Sequence, residues 1–133
     1  GIEGVSENIT VRSIVGRFLE HSRIFYFANG GDEKVFLSSA DWMPRNLDAR
    51  VELFYPVDDS EHVERLKALL DLSLNDTVRA HILRSDRTYR KPGKRPKGTQ
   101  IDSQAELLRQ AKEAAGRLEM PIEQRLKPMY RKE

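Results

Sequence analysis

Cysteine is absent from this chain. That excludes a disulfide framework and thiolate chemistry, makes zinc unexpected, and permits a reducing cytosolic home. No run approaches the roughly 18 consecutive apolar residues of a membrane-spanning helix. The opening GIEGVSENITV lacks the basic stretch followed by an apolar one that marks a secretory leader. A large excess of one charge is also missing, since 23 Lys and Arg face 21 Asp and Glu for a formal net charge of +2. Placement of charge therefore matters more than its total. No internal repeat is visible.

What is present suits one compact domain: 133 residues, 38% hydrophobic and 33% charged. The polar share is high enough to predict an ordered body with a loose end. The chain opens without methionine in a loop-like stretch, and the expectation is an excised piece of a longer protein.

Val11, Ile14, Val15, Phe18 and Leu19 recur at helical spacing behind the cap candidates Ser6 and Asn8, predicting a helix of two or three turns with Arg12 and Arg17 at the border of its buried stripe. SRIFYFA, the turn signal NGGD and VFLSS then predict a β-hairpin. If its loop is centred on Gly30 and Gly31, Ile24 faces Leu37, Tyr26 faces Val35 and Arg23 faces Ser38. Ile24, Tyr26, Val35 and Leu37 then share an apolar face, with His21, Arg23 and Ser38 on the other. A one-residue bulge would present Ser39 and Asp41 instead, and the sequence leaves both registers open.

Pro44 starts a turn or single helical turn with Arg45 and Asn46 exposed, and ARVELFYPV reads as a third strand ended by Pro56. Asp58, Asp59 and Ser60 cap an amphipathic helix reaching Leu74, closed by Asn75 and Asp76. TVRAHILR alternates as a fourth strand at an edge, with Val78, Ala80 and Ile82 inward. Residues 84–99 form a basic loop, where Arg84, Arg87, Arg90, Lys91, Lys94, Arg95 and Lys97 are opposed only by Asp86. Ser103 and Glu106 have capping-box spacing for a last helix reaching Met120, and residues 122–133 read as a flexible tail. The expected class is α/β: a mixed β-sheet of about four strands with flanking helices.

The chemistry centres on His21 and Arg23, two apart on one strand and so on one side of it. A guanidinium grips phosphate by paired hydrogen bonds, and an imidazole donates or shuttles a proton. Phosphoryl transfer asks the protein mainly for such fixed cationic donors. Ser38, Ser39 and Asp41 could orient them, and Arg45, Asn46 and Arg50 add donors. The plain competing reading is a surface histidine beside Glu20, with Arg45 and Arg50 as ion-pair partners of Asp48 and Glu52, and with Trp42 in the core. His62 and His81 carry no functional reading. The basic loop interleaves one ring, Tyr89, among its cations, which favours an all-phosphate ligand over base recognition.

VRSIVGRFLEHSRIFYFANGG, KVFLSSADWMPRNLDARVELFYPV and LNDTVRAHIL resemble the carboxy-terminal domain of bacterial polyphosphate kinase of the type that builds long inorganic polyphosphate from ATP. The likeness runs without a gap from about Ser6 to Leu83. It implies a phospholipase-D-like α/β fold facing a sister domain across an active-site tunnel. It also implies magnesium-dependent, reversible transfer of the ATP γ-phosphate to inorganic polyphosphate through a phosphohistidine in the preceding domain, which lies outside this chain. By the same resemblance His21 is the family's second active-site histidine, contacting phosphate as a candidate acid-base group. Arg23, Ser39 and Asp41 occupy positions of the superfamily's HxK region and its downstream polar pair, and Arg45 and Arg50 are further phosphate contacts. Arg79 and the basic loop could line the product's path. Mg2+ would be held mainly outside this chain. The implied partners are ATP or ADP, inorganic polyphosphate, the preceding domains of the same chain and, at full length, further copies, with no DNA. The implied location is the cytoplasm, peripheral attachment at the inner membrane included.

The departures from the phospholipase D pattern are Arg23 where lysine is asked for and Ala28 where aspartate is. Both weaken the rival reading of a phosphodiesterase pairing two copies of His21. A second rival is a non-catalytic polyanion- or nucleic-acid-binding module acting through residues 84–97.

Overall fold

A computed structural model describes residues 1–93, 96 and 98–117. The expected tail at 122–133, the end of the last helix beyond residue 117, and Lys94, Arg95 and Lys97 of the basic loop lie outside the described residues.

The α/β class is as expected, but the strands divide differently. They form two antiparallel three-stranded sheets rather than one mixed sheet. The first sheet holds β1 (Arg12–Ile14), β5 (Ala80–Leu83) and β6 (Tyr89–Arg90), in the order β1-β5-β6. The second holds β2 (Ile24–Phe27), β3 (Lys34–Ser38) and β4 (Phe54–Pro56), in chain order. β5, expected at an edge, is the central strand of its sheet.

The helix expected over residues 11–19 does not form. Arg12, Ser13 and Ile14 pair instead with Ile82, His81 and Ala80, and the chain then runs irregularly to His21. Partnership in a sheet overrides a helical spacing that only five apolar residues supported.

The hairpin has the register without a bulge. Ile24 faces Leu37 and Tyr26 faces Val35, and Ser38 N–H donates to the Arg23 carbonyl at 3.0 Å. Asn29, Gly30 and Gly31 all have positive φ (45°, 65° and 104°), a run that the two glycines make accessible. The third strand is shorter than expected: only Phe54–Pro56 pairs with β3, and Val51 and Leu53 stand exposed.

Pro44 opens α1 (Pro44–Ala49), and Asp59 caps α2 (Ser60–Leu74) by accepting from the His62 amide at 3.0 Å. α2 packs on the Ile24–Tyr26 face of β2, where Lys67 bonds Glu33 at 2.7 Å and sits 5.9 Å from the Tyr26 ring centre. The cap of α3 (Ser103–Arg117) is Asp102, not Ser103: its carboxylate accepts from the Ala105 amide at 3.1 Å.

Ser103 has another task. Its amide and hydroxyl donate to Asp76 Oδ2 at 2.8 and 2.7 Å, while Asp76 Oδ1 accepts from the amides of Val78, Arg79 and Ala80 at 2.9, 2.6 and 3.0 Å. Asp76 is wholly buried. Burial pushes its pKa up, but the Ser103 and backbone donors outweigh that, and the net shift is downward. One carboxylate thus ties the end of α2, the start of β5 and the start of α3. Among the described residues the fully buried apolar side chains are only Val35 and Ala80.

Candidate phosphate site

The site lies where β2 begins and β3 ends. Antiparallel pairing brings Arg23 beside Ser38, and the chain leaving β3 carries Asp41 back toward it. Arg23 Nε donates to Asp41 Oδ1 at 2.7 Å, with the side chains 24% and 38% exposed. This bond raises the guanidinium's pKa and holds the Asp41 carboxyl below its ordinary value; the fields of His21 and Arg45 lower Asp41 further. Three of the predicted site residues therefore act on one carboxylate. His21 is exposed on the irregular segment before β2, with no hydrogen bond to its ring among the described residues.

A second cluster adjoins the first and is organised by a residue outside the predicted site, Glu52. Its carboxylate accepts from the Ser39 hydroxyl, from Asn46 Nδ2 at 2.9 Å, and faces Arg50 Nε at 3.6 Å. The Ser39 hydroxyl also accepts from the Leu53 amide at 2.9 Å. Glu52 is held below its ordinary pKa, first by Ser39 and then by Asn46, with Arg50 and Arg23 adding to the effect. The ion pair of Arg50 with Glu52 anticipated by the plain reading is present. Arg45 instead donates to Asn46 Oδ1 at 3.3 Å, and Asn46, expected exposed, is buried.

Ser38 and Ser39 thus separate: Ser38 Oγ accepts from the Ala40 amide at 3.0 Å beside Arg23, while Ser39 turns to Glu52. No local pattern marks Glu52, which alternates with Val51 and Leu53 like any outward residue of a strand.

Beside these polar groups lies an aromatic surface. Phe25, Phe36 and Phe54 stack or meet edge to face at 4.8 to 5.1 Å between ring centres. Trp42 lies 6.1 Å from Phe25 and is 80% exposed, not in the core. Phe25, Trp42, Asn46, Arg50 and Phe54 help line a shallow cleft of about 360 Å³.

The segment leading to His21 is held from α3. Gln104 Nε2 donates to the Phe18 carbonyl and to Glu20 Oε1, both at 2.7 Å, and its Oε1 accepts from the Phe18 amide at 3.1 Å. Glu20 is therefore engaged with Gln104. Arg79 Nε pairs with Asp102 Oδ2 at 3.0 Å. His62 bonds Asp59 and His81 bonds the Arg79 carbonyl.

The carboxylates here do not fit a magnesium cage. Asp41 is engaged by Arg23 and Glu52 by Ser39, Asn46 and Arg50. Among the described residues no three His, Cys, Asp or Glu side chains converge.

These features define an α/β unit with cations and carboxylates gathered at the mouth of a hairpin. The family described as "Polyphosphate kinase C-terminal domain 2" matches residues 1–104, and the chain belongs to that family. The polyphosphate kinase of Pseudomonas aeruginosa is 56% identical over 110 residues, 81% of this chain and 16% of the relative. That of Prosthecochloris aestuarii is 54% identical over 112 residues, 84% of this chain and 15% of the relative. The crystal structure of polyphosphate kinase from Porphyromonas gingivalis superposes with a TM-score of 0.74 at 37% identity, covering 84% of this chain and 17% of that one. The chain thus spans about one sixth of the length of the relatives it matches.

Proposed function

We propose that the parent protein is a polyphosphate kinase, moving the γ-phosphate of ATP reversibly to inorganic polyphosphate, and that residues 1–133 supply phosphate contacts to its active site. The phosphorylated histidine belongs to another domain, and this chain alone is inactive. The parent is a cytoplasmic protein that works as an oligomer. Among the described residues no helix is long and apolar enough to cross a membrane.

The observation that carries this reading is the Arg23–Asp41 pair, with His21 and Arg45 acting on the same carboxylate. Asp41 fixes the guanidinium through Nε, which leaves both terminal nitrogens for paired hydrogen bonds to phosphate oxygens. His21, exposed beside it, binds the transferring group and moves a proton or charge. Arg45 and Arg50, oriented by Asn46 and Glu52, contact neighbouring phosphates. Magnesium, when present, shields phosphate charge, and its ligands are outside this cluster.

Full-length protein carrying Arg23→Met tests the reading through ATP-dependent polyphosphate formation. Loss of roughly 100-fold or more in rate is expected for a donor that stabilises the transferring phosphate; an unchanged rate rejects the site.

A further inference from the structure

The segment that carries His21 has few attachments. At its start Val15 N–H donates to the Arg79 carbonyl at 3.2 Å, and at its end Arg23 is tied to Ser38 and Asp41. Between these anchors residues 16–22 form neither helix nor strand. Among the described residues, their hydrogen bonds all go to one side chain, Gln104.

A carboxamide offers one acceptor oxygen and two N–H donors, and Gln104 uses all three. Oε1 accepts from the Phe18 amide at 3.1 Å, while Nε2 donates to the Phe18 carbonyl and to Glu20 Oε1, both at 2.7 Å. Phe18 is therefore held through both of its backbone groups, as a neighbouring strand would hold it. The carboxylate next to His21 is fixed by the same nitrogen. Glutamate lacks the donors for this, and asparagine is a methylene too short.

The clamp is firmly mounted. Gln104 is 6% exposed, in the first turn of α3. Ser103 beside it bonds the buried Asp76 through its amide and hydroxyl, and Asp102 pairs with Arg79, whose carbonyl holds Val15. Three consecutive residues thus fasten the start of α3 to the residues leading into β5 and to the chain entering His21. Gly16 lets that chain pass close by, since a Cβ there would collide with Gln104 Oε1. Phe18 stands three residues before His21, near enough for a shift at one to move the other.

We infer that Gln104 is a positioning residue for phosphoryl transfer: it sets where the His21 imidazole stands relative to the phosphate that Arg23 grips. Its effect on rate passes through that ring. The inference rests on the kinase reading above.

Polyphosphate synthesis by the full-length protein tests it, with Gln104→Ala and Gly16→Ala each alone and each combined with His21→Ala, at a temperature where circular dichroism shows the variants folded. The two changes attack one contact from opposite sides, so either decides the matter if the other fails to fold. Each alone is expected to lower the rate on the order of 10- to 100-fold, the scale of a small misplacement of a reacting group. In the His21→Ala background the further loss is expected to shrink to within about twofold, because no imidazole remains to be misplaced. A loss of undiminished size in that background, as poorer folding would give, overturns the inference, and so does a near-native rate in the single variants. If His21→Ala alone leaves synthesis unchanged, the kinase reading falls and this inference with it; if His21→Ala is damaging but the other changes simply multiply its effect, only the positioning role falls.

Discussion

Gln104, on α3, grips both backbone groups of Phe18, 86 residues earlier, donating to its carbonyl at 2.7 Å and accepting from its amide at 3.1 Å. This contact sets the course of the chain into His21. Gly16 exists beside it for a steric reason: a Cβ there would lie 2.2 Å from Gln104 Oε1. Gln104→Ala is expected to cost about 1 kcal/mol, since the part-buried backbone groups of Phe18 lose their partners.

Gly16→Ala should cost a similar amount in the native background but little once Gln104 is alanine, because the clashing atoms are gone. Denaturant unfolding of the two single variants and the double variant of the full-length protein measures this non-additivity. Additive losses would show that the two positions act separately.

Asp76→Ala should be among the most destabilising single changes, about 3 kcal/mol or more, because five donors converge on that buried carboxylate. Its pKa is lowered in the fold from an ordinary value of 3.8. The charged form therefore stabilises at pH values above 3.8, and that contribution is lost as pH falls through the lowered value. The stability gap between the native protein and Asp76→Asn should be widest near neutrality and narrow below about pH 4; a constant gap would contradict it.

The sequence made the hairpin legible but left two registers open. Apolar alternation and the NGGD turn are local signals that place the two strands, and only the structure selects the pairing of Ile24 with Leu37 over the bulged alternative. α2 was legible for the same reason, through its apolar stripe and acidic cap. β1 was not, because three residues form a strand only when β5 lies alongside, and nothing within residues 11–19 encodes that partner. Glu52, Gln104 and Asp76 were misread or missed for a related reason. Each draws its role from contacts made 13 to 86 residues away, where neither spacing nor composition reaches.

Arg87 adopts φ +66° at the turn between β5 and β6, a conformation that disfavours any side chain. Arg87→Gly should raise stability by about 1 kcal/mol. If the basic hairpin lines the path of polyphosphate, the same change should weaken salt-dependent polyphosphate binding by the full-length protein. Stronger binding to single-stranded RNA than to polyphosphate of equal charge would favour a nucleic-acid role for this hairpin instead.

The decisive measurement is polyphosphate synthesis from ATP by the full-length protein carrying His21→Ala, with circular dichroism and oligomeric state monitored in parallel. The exposed ring makes no hydrogen bond among the described residues, so the fold should persist while the rate falls by roughly 100-fold or more, the scale of a lost acid-base group. Near-normal synthesis by a correctly folded variant would contradict the account.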